Sequence, residues 1–147
     1  RRRDGRPEWL SALPLLLDMG VEPYQLAAAF RGAAAQRLVR RLCLSCRTPR
    51  RADAADQRLA RSLGVPAPAR VFEGAGCDQC GGSGFRGRTA IAEAFLANET
   101  LLRGIAERSP LQSLAQIASV TTMIEDGHAK ALTGETTLEE VLGAVHV

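Results

Sequence analysis

The sequence predicts a mainly α-helical fold with short β-strands, and three observations carry that prediction. Apolar residues recur every four positions from Leu26 to Leu42; helix caps and terminators punctuate the later segments; and two CxxC pairs stand beside short runs of β-prone residues. At 147 residues the chain fits one domain or two small lobes. Charge favours two lobes, because residues 1–70 carry fourteen cationic and six acidic side chains and residues 71–147 carry five and ten. The division expected is a helical segment over residues 1–42, a tetracysteine subdomain over 43–88, and a strand followed by a helical bundle over 89–147.

The first element, "WLSALPLLLD" at residues 9–18, is a short apolar stretch that Pro14 limits to a helix start or a broken turn. From Tyr24 to Leu42 the apolar positions Leu26, Phe30, Ala34, Leu38 and Leu42 form one stripe, with Arg31, Gln36, Arg37, Arg40 and Arg41 mostly off it, which predicts an amphipathic helix delivering its end into the first CxxC. Residues 52–63 predict a second helix that Gly64 terminates. The connector "VPAPA" is rigid, Val71 and Phe72 suggest a brief strand, and Thr89 to Leu96 another. Asn98 caps the helix "ETLLRGIAER", and Ser109 with Pro110 opens the next. Ile124 to Leu132 forms a further helix closed by Gly134, and Thr137 with Glu140 reads as a capping box for the last one.

No segment approaches ~18 uncharged apolar residues, so none is expected to span a membrane. The start, "RRRDGRPEWL", lacks the apolar core and cleavage site of a signal peptide, and the chain reads as intracellular. It has no initiator Met, as expected of a piece of something longer. Its basic first half suits an anionic partner, either phosphate or an acidic protein face, and equally a solvated surface. Nearly all the positive charge is arginine, Lys130 being the sole lysine.

Cys43, Cys46, Cys77 and Cys80 are all the cysteines present, and thirty residues separate the two CxxC pairs. Two thiolates two residues apart reach one ion because a tight turn brings both sulfurs to one side, so this pattern favours a structural zinc held by four cysteines, with no coordination position left for substrate. An iron–sulfur cluster uses the same ligands and stays open as the alternative. Disulfides do not suit a chain without a secretory signal, and a thioredoxin-like site needs one CxxC, not two. Gly81, after the second pair, permits a positive φ that turns backbone N–H groups toward sulfur. The first pair has Arg47 there, so either its turn differs or Arg47 compensates the charge of the site. Beyond the second pair, Gly81, Gly82, Gly84 and Gly87 lead to Arg86 and Arg88, which on these residues alone are pendant surface charges.

The stretches "LLLDMGVEPYQL", "AQRLVRRLCLSC", "GCDQCGGSGFRGRTAI" and "EDGHAKALTGETTLEEVL" together resemble the C-terminal part of the traffic ATPases of bacterial type II secretion and type IV pilus assembly, collinearly from about Leu15 to Val145. The resemblance implies the tail of a RecA-like α/β ATPase domain, with a tetracysteine zinc-binding subdomain and a C-terminal helical bundle. It also implies a hexameric ring, cytoplasmic and peripheral to the inner membrane through platform proteins, that hydrolyses ATP with Mg2+ to drive pilin or pseudopilin assembly. On this resemblance Arg88, in "GRT", lies near the nucleotide phosphates as a catalytic or binding arginine, and Arg37, in "QRL", belongs to the same neighbourhood. An arginine suits that task, being always ionised and able to contact two oxygens.

The departure from the family is equally definite. GxxxxGK[ST] occurs nowhere, so the chain offers no phosphate cradle and is not expected to hydrolyse ATP alone. Residues 1–12 do not match the family well. A second class of reading is a stand-alone zinc-structured module that binds protein: "CDQCGGSG" fits the CxxCxGxG pattern of cochaperone zinc regions, but "CLSCRTPR" does not. A nucleic-acid module is the third, on the cluster Arg37, Arg40, Arg41, Arg47, Arg50 and Arg51. The near absence of aromatic platforms there argues against it. His128 and His146 have no partner visible in sequence, and Glu125 and Asp126 at a helix start suit the helix dipole without a further duty.

Overall fold

In the computed structural model, which describes residues 7–118 and 120–145, the chain is mixed α/β. Among the described residues the order is α1 (Ala12–Asp18), α2 (Pro23–Ala29), β1 (Gly32–Leu42), β2 (Arg47–Arg51), α3 (Ala54–Leu63), β3 (Arg70–Gly74), β4 (Phe85–Leu96), α4 (Glu99–Ala106), α5 (Leu111–Ala118), α6 (Met123–Leu132) and α7 (Leu138–Val145). Short 3-10 turns occupy Glu8–Ser11 and Asp78–Cys80. The strands make two ribbons, β1 beside β4 and β2 antiparallel to β3. The basic residues before Pro7, and His146, lie outside the described residues.

The expected helix from Tyr24 to Leu42 is corrected: it stops at Ala29, and Gly32–Leu42 is strand β1. A spacing of four is also a multiple of two, so the stripe through Leu26, Phe30, Ala34, Leu38 and Leu42 does not separate helix from strand. In β1 the inward positions are Ala33, Ala35, Arg37 and Val39, while Leu38 is 59% exposed. Gly32 marks the break, because a Cβ there would collide with the Phe95 carbonyl. β1 and β4, at 11 and 12 residues, are longer than the short strands expected, whereas β2 and β3 are 5 residues each, and helices still hold more of the described residues than strands do.

Other local signals act as their chemistry requires. Asp53 accepts hydrogen bonds from the N–H groups of Ala55 and Asp56, Asp56 accepts from the Asp53 N–H, and Gly64 closes α3 at φ 71°. Asn98 accepts from Leu101 N–H at 2.8 Å and so caps α4. At α7 only half of the expected box forms: Glu140 N–H donates to Thr137 Oγ1 at 3.4 Å, but the Glu140 carboxylate accepts from the backbone N–H and guanidinium of Arg40. A charge-assisted pair outcompetes a neutral cap.

The described residues fall into two compact units, residues 36–92 with 123–145 and residues 7–35 with 93–122. In the first, Val39, Leu42, Leu63, Val71, Ile91 and Val141 are buried, and α7 packs against α3 and α6. Each such side chain contributes roughly 1.5–3 kcal/mol by leaving water. Helix α6 and the loop that follows it also satisfy the free strand edges of this unit. Asp126 Oδ2 accepts from Ala92 N–H at 2.9 Å, and Lys130 Nζ donates to the Ala90 carbonyl at 2.6 Å and to Asp126 at 2.7 Å. On β1, Thr136 Oγ1 donates to the Arg40 carbonyl at 2.8 Å, and Leu42 N–H donates to the Glu135 carbonyl at 2.9 Å. These groups stand in for neighbouring strands.

The second unit has its own core of Trp9, Leu10, Leu13, Leu26, Leu101, Ile105 and Leu114. The Trp9 ring packs on Phe95 with centroids 4.4 Å apart, and Trp9 N–H donates to Glu93 Oε1 at 2.9 Å. Helix α4 packs between α2 and α5, closely enough at Gly104 that a Cβ would come within 2.7 Å of Leu114.

Candidate metal centre

The four cysteines come together in the first unit. Cys43 and Cys46 sit on the turn between β1 and β2, and Cys77 and Cys80 lie at the 3-10 turn between β3 and β4. Their four Sγ atoms lie within 4.8 Å of one another, with 3.8 Å between Cys43 and Cys77, 3.8 Å between Cys46 and Cys80 and 3.7 Å between Cys77 and Cys80. These separations exceed any disulfide bond, which needs about 2.0 Å. A tetrahedral ion with metal–sulfur bonds of about 2.3 Å sets its ligands about 3.8 Å apart, which is the spacing of these three pairs. A cluster with several irons and sulfides needs a wider cage, so the space suits one ion.

Backbone geometry prepares the sulfurs for that charge. The N–H groups of Cys77 and Gly84 donate to Cys80 Sγ at 3.2 and 3.3 Å. Burial alone would raise the Cys80 thiol; these two amides, helped by the thiols of Cys77 and Cys46, bring it down to about 6. Cys46 goes the other way: burial pushes it up to about 12, against an opposing hydrogen bond from Gly76 and with the neighbouring thiols adding to the rise.

Gly81 has φ 60°, the positive value expected of it. Its own N–H, however, bonds to the Asp78 carbonyl, and the donor that its turn delivers to sulfur is Gly84. Gly84, at φ 74°, joins three parts of the site: its N–H reaches Cys80, its carbonyl accepts from Cys43 N–H at 2.9 Å, and its Cα lies against Gly74 at the end of β3. Gln79 braces the two turns, its side-chain oxygen accepting from Ser45 Oγ at 2.8 Å and Arg86 Nη1 at 3.1 Å.

At Arg47 the first of the two expected alternatives holds. The turn differs: Arg47 N–H bonds to the Cys43 carbonyl without a positive φ, and its guanidinium donates to the Gly134 carbonyl at 2.7 Å just beyond α6. That is a helix C-terminal cap, where a cation also meets the negative end of the dipole.

Arg37 is half-buried and donates to the Ala144 carbonyl near the end of α7 at 2.7 Å. Arg88 is exposed on β4, and no hydrogen bond or ion pair engages its side chain among the described residues. Between Arg88 and the rest of β4 stands the clamp of Asp126 and Lys130 on residues 90 and 92. That clamp escaped the sequence, where Asp126 reads as a dipole partner, although the Asp126–Lys130 spacing of four was available as a signal.

A profile of the family described as "Type II/IV secretion system protein" matches residues 8–143, so residues 8–12, expected to fit the family poorly, lie within the match. The chain is 40% identical over 135 residues to a type IV pilus assembly ATPase, PilB, of Thermus thermophilus, covering 89% of this chain and 15% of that protein. It is 39% identical over 137 residues to a type II secretion system protein E of Pseudomonas aeruginosa, covering 90% of this chain and 27% of the relative. A type II secretion system ATPase E of Vibrio cholerae is 36% identical over 135 residues, again across 90% of this chain and 27% of the relative. The chain thus spans about a quarter or less of the length of these relatives.

Proposed function

Because the chain belongs to the type II/IV secretion system protein family, we propose that it is the C-terminal, zinc-bearing portion of a ring-forming ATPase that powers type II secretion or type IV pilus assembly. The observation that carries this assignment is the single-ion cage of Cys43, Cys46, Cys77 and Cys80, from which β4 leads directly to the exposed Arg88. In this proposal the bound ion is structural zinc, which supplies charge neutralisation and a cross-link and, with four protein ligands, no catalysis. Gly84 and Gln79 then hold the two cysteine turns together. The Asp126–Lys130 clamp fixes β4 in place, and Arg88 is presented with no internal partner to an anionic group.

Arg88 meets the nucleotide phosphates or a neighbouring subunit's site, where a forked cation stabilises developing phosphoryl charge. Arg37 acts more indirectly, by holding α7 through the carbonyl of Ala144. The phosphate cradle and Mg2+ ligands come from a P-loop portion outside this sequence, in a RecA-like domain of which this chain is the tail. The ring works at the cytoplasmic face of the inner membrane through platform proteins. No helix among the described residues is long and apolar enough to cross a membrane.

The test joins this chain in frame to a family P-loop core and measures steady-state ATP turnover for the parent, Arg88→Ala and Arg88→Lys. Loss of turnover in both, with zinc content and melting unchanged, supports a phosphate-facing guanidinium. Unchanged turnover removes Arg88 from the mechanism. Metal analysis of the same preparations checks the other half: one zinc per chain is expected, and iron in its place would reassign the cage.

A further inference from the structure

A groove of about 470 Å3 opens on the first unit, lined by Pro66, Pro68, Arg70 and Phe72 on one side and by His128 and Leu132 of α6 on the other. The residues lining it belong neither to the metal cage nor to the arm carrying Arg88. Its lining is apolar apart from Arg70 and His128. The β2–β3 register adds a second cation, because Arg51 stands directly opposite Arg70 and opposite residues share a face of the ribbon.

Both arginines are exposed, and neither has a carboxylate partner among the described residues. Like charges placed directly opposite one another destabilise a ribbon. The neighbouring Arg50 shows that the fold can neutralise an arginine here: Asp56 accepts from it at 2.6 and 3.0 Å and Glu73 at 2.8 Å. Arg51 and Arg70 are left bare beside a concave apolar wall, and two adjacent guanidiniums form a fork for a carboxylate. The groove holds one more unmet demand, since His128 Nε2 is buried without a hydrogen-bond partner in the described structure.

We infer that this groove docks a short segment of a protein partner in which an apolar side chain stands beside an Asp or Glu. The apolar side chain sits among Pro68, Phe72 and Leu132, and the carboxylate bridges Arg51 and Arg70. Complementarity of charge and shape selects this occupant. A membrane surface calls for cations spread over an open face, whereas here two stand beside a cleft with room for a short peptide segment. A nucleic acid calls for open aromatic faces, and the one aromatic here, Phe72, packs against Gly134 with the Arg47 guanidinium 5.9 Å from its ring centre. The inference is independent of the ATPase assignment.

The test pans a random peptide display library on the zinc-loaded full chain and measures the recovered peptides, fluorescein-labelled, by anisotropy. The expected consensus places Asp or Glu within a residue or two of Leu, Ile or Phe. Affinity falls about tenfold or more in the double variant Arg51→Glu/Arg70→Glu, and also in Leu132→Gln, a position already 44% exposed. Zinc content and circular dichroism verify that both variants fold. Recovery of no such consensus, or equal binding to the double variant, overturns the proposal. So does arginine-dependent sedimentation with phosphatidylglycerol vesicles, or arginine-dependent self-association in sedimentation velocity, without peptide binding; each would assign the groove to a different occupant.

Discussion

Replacing Gly84 with Ala tests whether the cage is held by backbone packing as well as by sulfur. Gly84 sits at φ 74°, where an L-side chain costs about 1–2 kcal/mol. A Cβ added there would also lie 2.6 Å from the Gly74 carbonyl oxygen and 3.0 Å from its carbonyl carbon and Cα. Those atoms are backbone and cannot rotate away, so overpacking adds about 1–3 kcal/mol. Gly81 supplies the control, with φ 60° and nothing within 4 Å of the methyl group that alanine would add. Its Ala variant bears only the conformational cost of about 1–2 kcal/mol. Because Gly84 also donates to Cys80 and accepts from Cys43, the larger loss appears in metal retention too. Competition with a chromophoric chelator, alongside urea unfolding of the zinc-loaded protein, reads both. Gly84→Ala is expected to release zinc more readily than Gly81→Ala and to unfold earlier. Equal behaviour of the two variants would show that φ alone matters and that the Gly74 contact is dispensable.

Cys80→Ser, which removes the sulfur receiving two amide hydrogen bonds, abolishes stoichiometric zinc and lowers the melting temperature, as chelation of the parent does, because site binding energy is folding energy. Asp126→Asn weakens the acceptor for Ala92 N–H and Lys130 and costs about 1–3 kcal/mol by urea denaturation, whereas Glu139→Gln at an exposed position changes stability by less than about 0.5 kcal/mol. Gly127→Ala pushes a methyl group to 2.7 Å from Val141 Cγ1 and is destabilising by about 1–3 kcal/mol in the same assay. For acid titration, hydrogen bonds and attraction from Arg40 hold the Glu140 carboxyl below the usual carboxylate range. Burial would raise Asp56, but hydrogen bonds from Arg50 and the Asp53 amide overcome it and lower it. Both folded values lie below the unfolded ones of about 4.3 and about 3.9, so their stabilisation is complete above that range and is lost as pH falls through the folded values. Melting followed downward from pH 6 should show this loss, and Glu140→Gln should flatten its share.

What the sequence disclosed is what local chemistry decides. The caps at Asp53 and Asn98 and the stops at Gly64 and Gly134 act within a few residues of themselves, so their residue types are sufficient. The CxxC pairs were legible because a turn of that length constrains both sulfurs whatever lies between the pairs. Strand β1 was not legible, since its alternation runs through alanines and arginines whose side chains carry little contrast: Ala33 and Ala35 are inward, Ala34 outward, and Arg37 is half-buried by bonding a carbonyl. Nor could local pattern show that Glu140 would abandon its cap for Arg40, or that Arg47 would serve α6 and not the sulfurs. Each of those choices depends on residues about 90 to 100 positions away.

The hydrogen bond from Cys43 N–H to the Gly84 carbonyl means that the polypeptide departs from β1 and returns to β4 at facing points. Everything between is topologically a side trip from a hairpin. Its contour length is therefore almost free to drift, since doubling a closed loop costs only about 0.6 kcal/mol of entropy. Residues spliced in between Leu63 and Arg70 would leave Arg88, four positions past the point of return, where it stands.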